Sequence, residues 1–217
     1  MTRPAAVIFD CDGVLVDSEA PALDLLGADL ARYGLPMSHA EMDRLFVGGT
    51  IAGAGAMARD LGATLPESWV EDFYARLYAR LAAGTPMIPG ILQVLKALDR
   101  AGIPYAVGSN GSMEKMRITL GQHPELLARV QGRLYSGPAL GMLKPEPGLY
   151  LAVAAALGVE PSECVVIEDS RTGCIAARRA GMVCHGYAPR SDGAILAAEG
   201  ALVFHAMADL PGVLGIG

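Results

Sequence analysis

Four apolar stretches of this chain each end on a polar residue suited to handling a phosphate: AAVIFD at Asp10, YAVGS at Ser109, LYSGPALGMLK at Lys144 and CVVIED at Asp169. A short apolar run that stops at a polar group reads as a buried strand, and it delivers that group to the carboxyl edge of a sheet. In open α/β sheets ligands bind at that edge. One such stop carries little information. Four in order, bringing carboxylates, a hydroxyl and an amine, point to one assembled site.

The rest of the pattern supports an α/β chain. Pro104–Ser109, Arg133–Ser136, Cys164–Glu168 and Met182–Gly186 read as strands. Between them, helices are expected over Ile91–Ala101, Met113–Gln122, Gly148–Leu157 and Thr172–Ala180, with Gly102, Gly158 and Gly181 as stops. This alternation implies parallel βαβ units. The first strand is followed instead by a long helical stretch. Ser18 is placed to cap a helix carrying Leu23, Leu26, Leu30 and Tyr33, shorter helices are expected over Ala40–Phe46 and Ile51–Leu61, and Glu67–Ala83 carries Val70, Phe73, Tyr74, Leu77 and Leu81 at helical spacing. The expected organisation is therefore a core of residues 1–17 and 85–217 with a helical insert, 18–84. An insert at the carboxyl edge of a strand is placed to act as a lid.

Gross composition narrows the function classes. The chain has 217 residues, which fits one domain or a domain with a smaller insert. Hydrophobic residues make up 52%, yet no apolar stretch approaches the roughly 18 residues of a membrane helix. Asp10 and Asp12 come too early for a signal-peptide apolar region, so a cytoplasmic protein is expected. The net charge is −6 and Lys and Arg form no stripe, which disfavours nucleic acid as a partner. The four cysteines, Cys11, Cys164, Cys174 and Cys184, lack C-x-x-C spacing and read as reduced, buried residues. His39, His123, His185 and His205 are scattered, with no pairing at metal-ligand spacing.

Asp10-x-Asp12 in FDCDGVLVDSE is the strongest local signal. A carboxylate can attack phosphorus and carry the phosphoryl group as an acyl phosphate. A neighbouring carboxyl can protonate the leaving oxygen and then deprotonate the attacking water. The alternative is a solvated turn or a structural cation loop. Glu168–Asp169 can complete a Mg²⁺ site with Asp10, or begin a helix with Asp169 or Ser170 as N-cap. Both can hold together. Ser109–Asn110 in VGSNGS can meet a phosphate oxygen at a helix start, or form an ordinary loop with Ser112 as N-cap. Lys144 in LKPEPG, restrained by two nearby prolines, can neutralise charge between nucleophile and phosphate. A phosphate dianion approaching a carboxylate needs a cation and hydrogen-bond donors, and the ordered set supplies them. Cys11, between the two aspartates, reads as inert because carboxylates disfavour a thiolate. Gly53-x-Gly55 follows a helical stretch and lacks the spaced third glycine of a dinucleotide site.

With these motifs in this order, the chain resembles the haloacid dehalogenase superfamily, in its branch of Mg²⁺-dependent phosphatases with a helical cap after the first strand. FDCDGVLVDSE, VGSNGS, LKPEPG and VVIEDSRTG match the four family motifs. The resemblance implies a doubly wound, three-layer parallel-sheet core with an inserted α-helical cap. By the same resemblance Asp10 is nucleophile and metal ligand, and Asp12 is acid/base with its main-chain carbonyl on Mg²⁺. Ser109 and Asn110 hold the phosphoryl oxygens, and Lys144 bridges nucleophile and phosphate. Asp169 binds the metal, with Glu168 assisting directly or through water. Val47, Gly48, Gly49 and Thr50 in the cap are placed to face the leaving group or to form a loop between cap helices.

The presence of Asp12 argues against carbon–halogen cleavage. Glu19-Ala20-Pro21-Ala22 lacks the histidine of the β-phosphoglucomutase relatives, and Phe46–Thr50 lacks their basic cap residue, which argues against a mutase. Among relatives the motifs are most similar to bacterial sugar-phosphate phosphatases, including the 6-phosphogluconate type. The expected activity is hydrolysis of a small phosphate monoester through an aspartyl phosphate. A phosphomutase and a non-catalytic phosphometabolite-binding protein are the alternatives. The expected partner is a small phosphorylated metabolite, with no nucleic acid or membrane, in a monomer or small homo-oligomer.

Overall fold

The computed structural model describes residues 3–46 and 50–217. The chain divides into two compact units, Met1–Asp17 with Pro86–Gly217, and Ser18–Thr85. In chain order the helices are α1 (Glu19–Arg32), α2 (His39–Phe46), α3 (Ile51–Asp60) and α4 (Trp69–Ala82), all in the inserted unit. Next come α5 (Ile91–Ala101), α6 (Met113–Leu120), α7 (Pro124–Val130) and α8 (Gly137–Leu140). The last are α9 (Gly148–Leu157), α10 (Arg171–Arg179), α11 (Ala194–Ala198) and α12 (Leu210–Val213). None of these is long and apolar enough to cross a membrane.

The larger unit is built on six strands: β1 (Ala6–Phe9), β2 (Tyr105–Ser109), β3 (Leu134–Ser136), β4 (Cys164–Glu168), β5 (Val183–Tyr187) and β6 (Leu202–Phe204). They lie in the order β3-β2-β1-β4-β5-β6, and their pairings are parallel. The chain winds outward from β1 on one side, then resumes at β4 on the other. The winding therefore reverses between β1 and β4, which pair from Ala6↔Cys164 to Phe9↔Ile167. At such a switch point the loops leaving the two strands diverge and open a crevice at their carboxyl ends.

Strand alternation explains the layering. Val7 and Phe9 point into one core, with Tyr105, Val107 and the α5 residues Ile91, Val94, Leu95 and Leu98. Ala6 and Ile8 point into the other, with Ala106, Val166, Leu149 and Val153 of α9, and Cys174 and Ala177 of α10. Because both faces are covered, these strands read as continuous apolar runs. Leu210 and Leu214 close the first core from the carboxyl-terminal end.

The inserted unit is held by a buried polar pairing within its apolar packing. Asp29 is 4% exposed, accepts a hydrogen bond from Trp69 Nε1 at 3.0 Å, and pairs with Arg76. Around it Leu26, Leu30, Phe73, Leu77 and Leu81 are buried. Ser18 differs from its expected role: it precedes α1 with helical backbone angles, and its side chain makes no capping bond. Gly55 packs against the Trp69 ring, where a Cβ would lie 2.8 Å from Cζ3.

The third apolar stretch also differs from its reading. β3 stops at Ser136, whose hydroxyl accepts the Ala139 N–H and starts α8, and Lys144 follows on a loop. Gly137-Pro138 ends the strand because proline cannot donate to a ladder. Elements α7, α8, α11, α12 and β6 were not anticipated. They are short, and their apolar patterns span too few residues to establish a period.

Candidate functional site

Asp10 follows β1, and its N–H donates to the Ile167 carbonyl of β4 at 2.9 Å, so the residue sits directly at the switch point. Its side chain is almost fully covered. Lys144 Nζ donates to Asp10 Oδ1 at 2.6 Å and to Glu168 Oε1 at 2.6 Å. The ammonium also lies 4.8 Å from the centroid of the Tyr150 ring. Three motifs far apart in sequence thus converge on one point.

Glu168 is fully buried and accepts five hydrogen bonds: Lys144 Nζ and Tyr150 Oη on Oε1, and the Asp169 N–H, Ser170 N–H and Ser170 Oγ on Oε2. Ser170 Oγ also accepts the Gly173 N–H at 3.1 Å, capping α10. Of the two expected uses of this turn, the helix cap is the one seen, and it is Ser170 rather than Asp169 that provides it. Gly173 is required here, since a Cβ would fall 1.7 Å from Glu168 Oε1. One oxygen each from Asp10, Glu168 and Asp169 lie within 4.8 Å of one another. Gly13 has φ +75°, and a Cβ there would fall 1.7 Å from Asp169 Oδ2. Only glycine gives that turn and admits the carboxylate beside it.

Ser109, at the end of β2, accepts the Gly111 N–H on Oγ at 2.9 Å, which leaves its hydroxyl hydrogen to donate. Asn110 holds the main chain of Lys144: Nδ2 donates to the Lys144 carbonyl at 3.1 Å and Oδ1 accepts its N–H at 2.9 Å. The side chain of Asn110 thus helps to place the lysine. Asp12 lies in the loop after β1, and Lys115 Nζ of α6 is 2.9 Å from its Oδ1.

The profile of the family described as "Hydrolase: haloacid dehalogenase-like hydrolase" matches residues 4–181. The chain belongs to that family. This hydrolase is 34% identical over 191 residues to hexitol phosphatase A of Escherichia coli (strain K12), covering 84% of the chain and 82% of that protein. It is 29% identical over 210 residues to a CBBY-like protein of Arabidopsis thaliana, covering 84% of the chain and only 63% of the relative. Among solved structures, a HAD family hydrolase of Deinococcus radiodurans R1 with bound phosphate and sodium superposes with a TM-score of 0.83. That pair is 31% identical over 99% of this chain and 96% of the other.

The electrostatics of the hydrolase site are unbalanced. Asp10, Glu168 and Asp169 bring three carboxylates together around the ammonium of Lys144. Burial pushes the Asp10 carboxyl up to about 7 against the pull of Lys144, and Glu168 adds to the rise. Burial works against the charge on Lys144 too, but Asp10 and Glu168 hold its ammonium well above the usual lysine range. The donor set is all oxygen, in excess negative charge and clustered, which fits a hard divalent cation. Glu168 is the poorest ligand of the three, because a direct metal bond would displace one of its five donors.

Gly48 and Gly49 of the expected substrate-contact group lie outside the described residues, as does Val47. Thr50 stands at the N-terminus of α3, where its hydroxyl accepts the Gly53 N–H at 3.0 Å. Cys11 is buried, and burial followed by the flanking carboxylates holds its thiol well above the ordinary range. Sequence reasoning missed Tyr150 and Lys115. The only sequence signal for Tyr150 is its place in the first turn of the helix after LKPEPG. Lys115 lies in the expected helix Met113–Gln122, where no motif marks it.

Proposed function

We propose that this hydrolase is a Mg²⁺-dependent phosphatase of small phosphate monoesters, working through an aspartyl phosphate on Asp10. The observation that carries the reading is the Lys144 ammonium bonded to both Asp10 and Glu168, with the Asp169 carboxylate alongside. A nucleophilic carboxylate beside a buried cation has its charge compensated while it attacks an anion. The names of phosphatase relatives and the phosphate bound in a close structural neighbour support the same class.

In this reading Asp10 Oδ attacks phosphorus, the ester P–O bond breaks, and the leaving alcohol oxygen takes a proton from Asp12. A water then loses its proton to Asp12 and attacks the acyl phosphate, releasing inorganic phosphate and restoring Asp10. The Ser109 hydroxyl and the α6 end of the Ser109–Ser112 loop hold the phosphoryl oxygens. Lys144 stays on the nucleophile throughout, fixed by Asn110, Glu168 and Tyr150. Asp10, Asp169 and the Asp12 carbonyl would hold Mg²⁺, with Glu168 acting through water; the ion supplies further charge compensation for the phosphoryl group. Hexitol phosphatase A directs the search to phosphorylated sugars and alditols.

The test is a panel of phosphate monoesters with and without Mg²⁺, run on the parent protein and Asp10→Asn. Phosphate release that requires both the metal and Asp10 supports the reading. Isomerisation of a phosphosugar without phosphate release, or binding without turnover, overturns it.

A further inference from the structure

We propose that Lys115 is the positioning residue for Asp12, fixing the second carboxylate of the D-x-D pair where it meets the leaving oxygen. The inference rests on the phosphatase reading above and deepens it. It gives the two carboxylates separate cations, Lys144 for the nucleophile Asp10 and Lys115 for the acid/base Asp12.

Lys115 Nζ lies 2.9 Å from Asp12 Oδ1, and each side chain is only 18% exposed. Exposed ion pairs hold geometry weakly because water screens them and both side chains stay mobile. This pair is largely covered, and its lysine is anchored at both ends, since the Lys115 N–H also donates to Ser112 Oγ at 3.0 Å. That bond caps α6 and places Lys115 in its first turn.

A cation in the first turn of a helix opposes the macrodipole, so local helix stability does not account for a lysine there. The charge is accounted for by the carboxylate it faces. Gly111 completes the seat: a Cβ on it would stand 3.2 Å from Asp12 Oδ2 and 3.1 Å from Ser109 Oγ. The Asp12 carboxylate is therefore bounded by bare backbone on one side and by the lysine on the other, next to the strand end that presents Ser109.

A residue that aligns the acid matters most when the leaving group cannot depart without a proton. The full-length protein with Mg²⁺ is assayed as parent, Lys115→Met and Lys115→Arg. Two esters are used: 4-nitrophenyl phosphate, whose leaving group departs as an anion, and the alkyl phosphate that the parent hydrolyses best. Because kcat/KM reports steps up to transfer onto Asp10, it isolates the proton delivery. We expect Lys115→Met to lose about 30-fold in kcat/KM on the alkyl ester and under about threefold on the nitrophenyl ester, chiefly in kcat. Arginine should restore most of the loss.

Equal losses on both esters, a loss confined to KM, or no loss overturns the proposal. A rise in KM alone would make Lys115 a substrate contact. Thermal unfolding separates misfolding from these outcomes, and Lys115→Gln carries the comparison if methionine is not tolerated. A parent that releases phosphate from no ester of the panel removes the phosphatase reading and this inference together. An active parent with an indifferent Lys115→Met removes this inference alone.

Discussion

The side-chain amide of Asn110 grips Lys144 by both of its main-chain groups, donating to the carbonyl at 3.1 Å and accepting the N–H at 2.9 Å. Lys144 lies on a loop rather than a strand end, so this clamp substitutes for the ladder that fixes Asp10. Each hydrogen bond contributes about 1 kcal/mol. Asn110→Ala is expected to lower phosphate release by roughly tenfold to thirtyfold, with about 2 kcal/mol lost in denaturant unfolding. Asn110→Asp keeps the acceptor and loses the donor, and should fall between. Full activity in Asn110→Ala would mean that the carboxylates alone place the ammonium.

Gly173 tests whether the saturated Glu168 carboxylate organises the turn. A methyl group there collides with Oε1 at 1.7 Å, and the carboxylate has no direction of retreat that keeps its five donors. Gly173→Ala is expected to cost about 2–3 kcal/mol in denaturant unfolding, at the upper end of overpacking effects. It should also weaken Mg²⁺ binding measured by calorimetry. A helical glycine replaced by alanine in open space would instead gain stability, so the sign alone decides.

These two examples show what the sequence made legible. Asp10, Ser109, Glu168 and Asp169 terminate continuous apolar strands, and such runs announce both the strand and its terminal group. The glycines of D-x-D-G and EDSRTG were visible as motif letters, but their reason is steric: each makes room for a carboxylate from a different segment or turn. Contacts across elements left no periodic trace. Tyr150 on Glu168, Asn110 on the Lys144 main chain and Lys115 on Asp12 join segments whose packing angles the sequence does not encode locally. The same holds for β6, a short strand that pairs along the edge of β5.

His185 gives a pH dependence outside the site. It lies on β5 and is 2% exposed, and burial lowers its pKa from the ordinary histidine value. The folded state therefore keeps the ring neutral. Above about pH 6.5 folded and unfolded rings are both neutral, so this group contributes no slope. Below it the unfolded chain binds a proton that the folded chain refuses, and stability falls by at most about 1.4 kcal/mol per pH unit from this residue. Thermal midpoints of the parent should drop between about pH 7.5 and about pH 5.5 more steeply than those of His185→Gln. Parallel profiles would show that the ring accepts its proton inside the fold.

Asp10 runs with the opposite sign, and metal addition exposes it. Without a cation its folded carboxyl is pushed up to about 7, above the ordinary carboxylate value, because burial and Glu168 outweigh Lys144. The folded state thus prefers the protonated acid, and forcing ionisation costs stability increasingly from about pH 4 up to about pH 7. A divalent ion bound by Asp10 and Asp169 requires the carboxylate and removes that cost. The rise in thermal midpoint on adding Mg²⁺ should therefore be larger at about pH 8 than at about pH 5.5, where binding must first displace a proton. In Asp10→Asn the amide cannot ionise, so the rise should be smaller and nearly flat across the same range. An equal Mg²⁺ effect at both pH values in the parent would place the ion on other ligands, and a rise unchanged by Asp10→Asn would do the same.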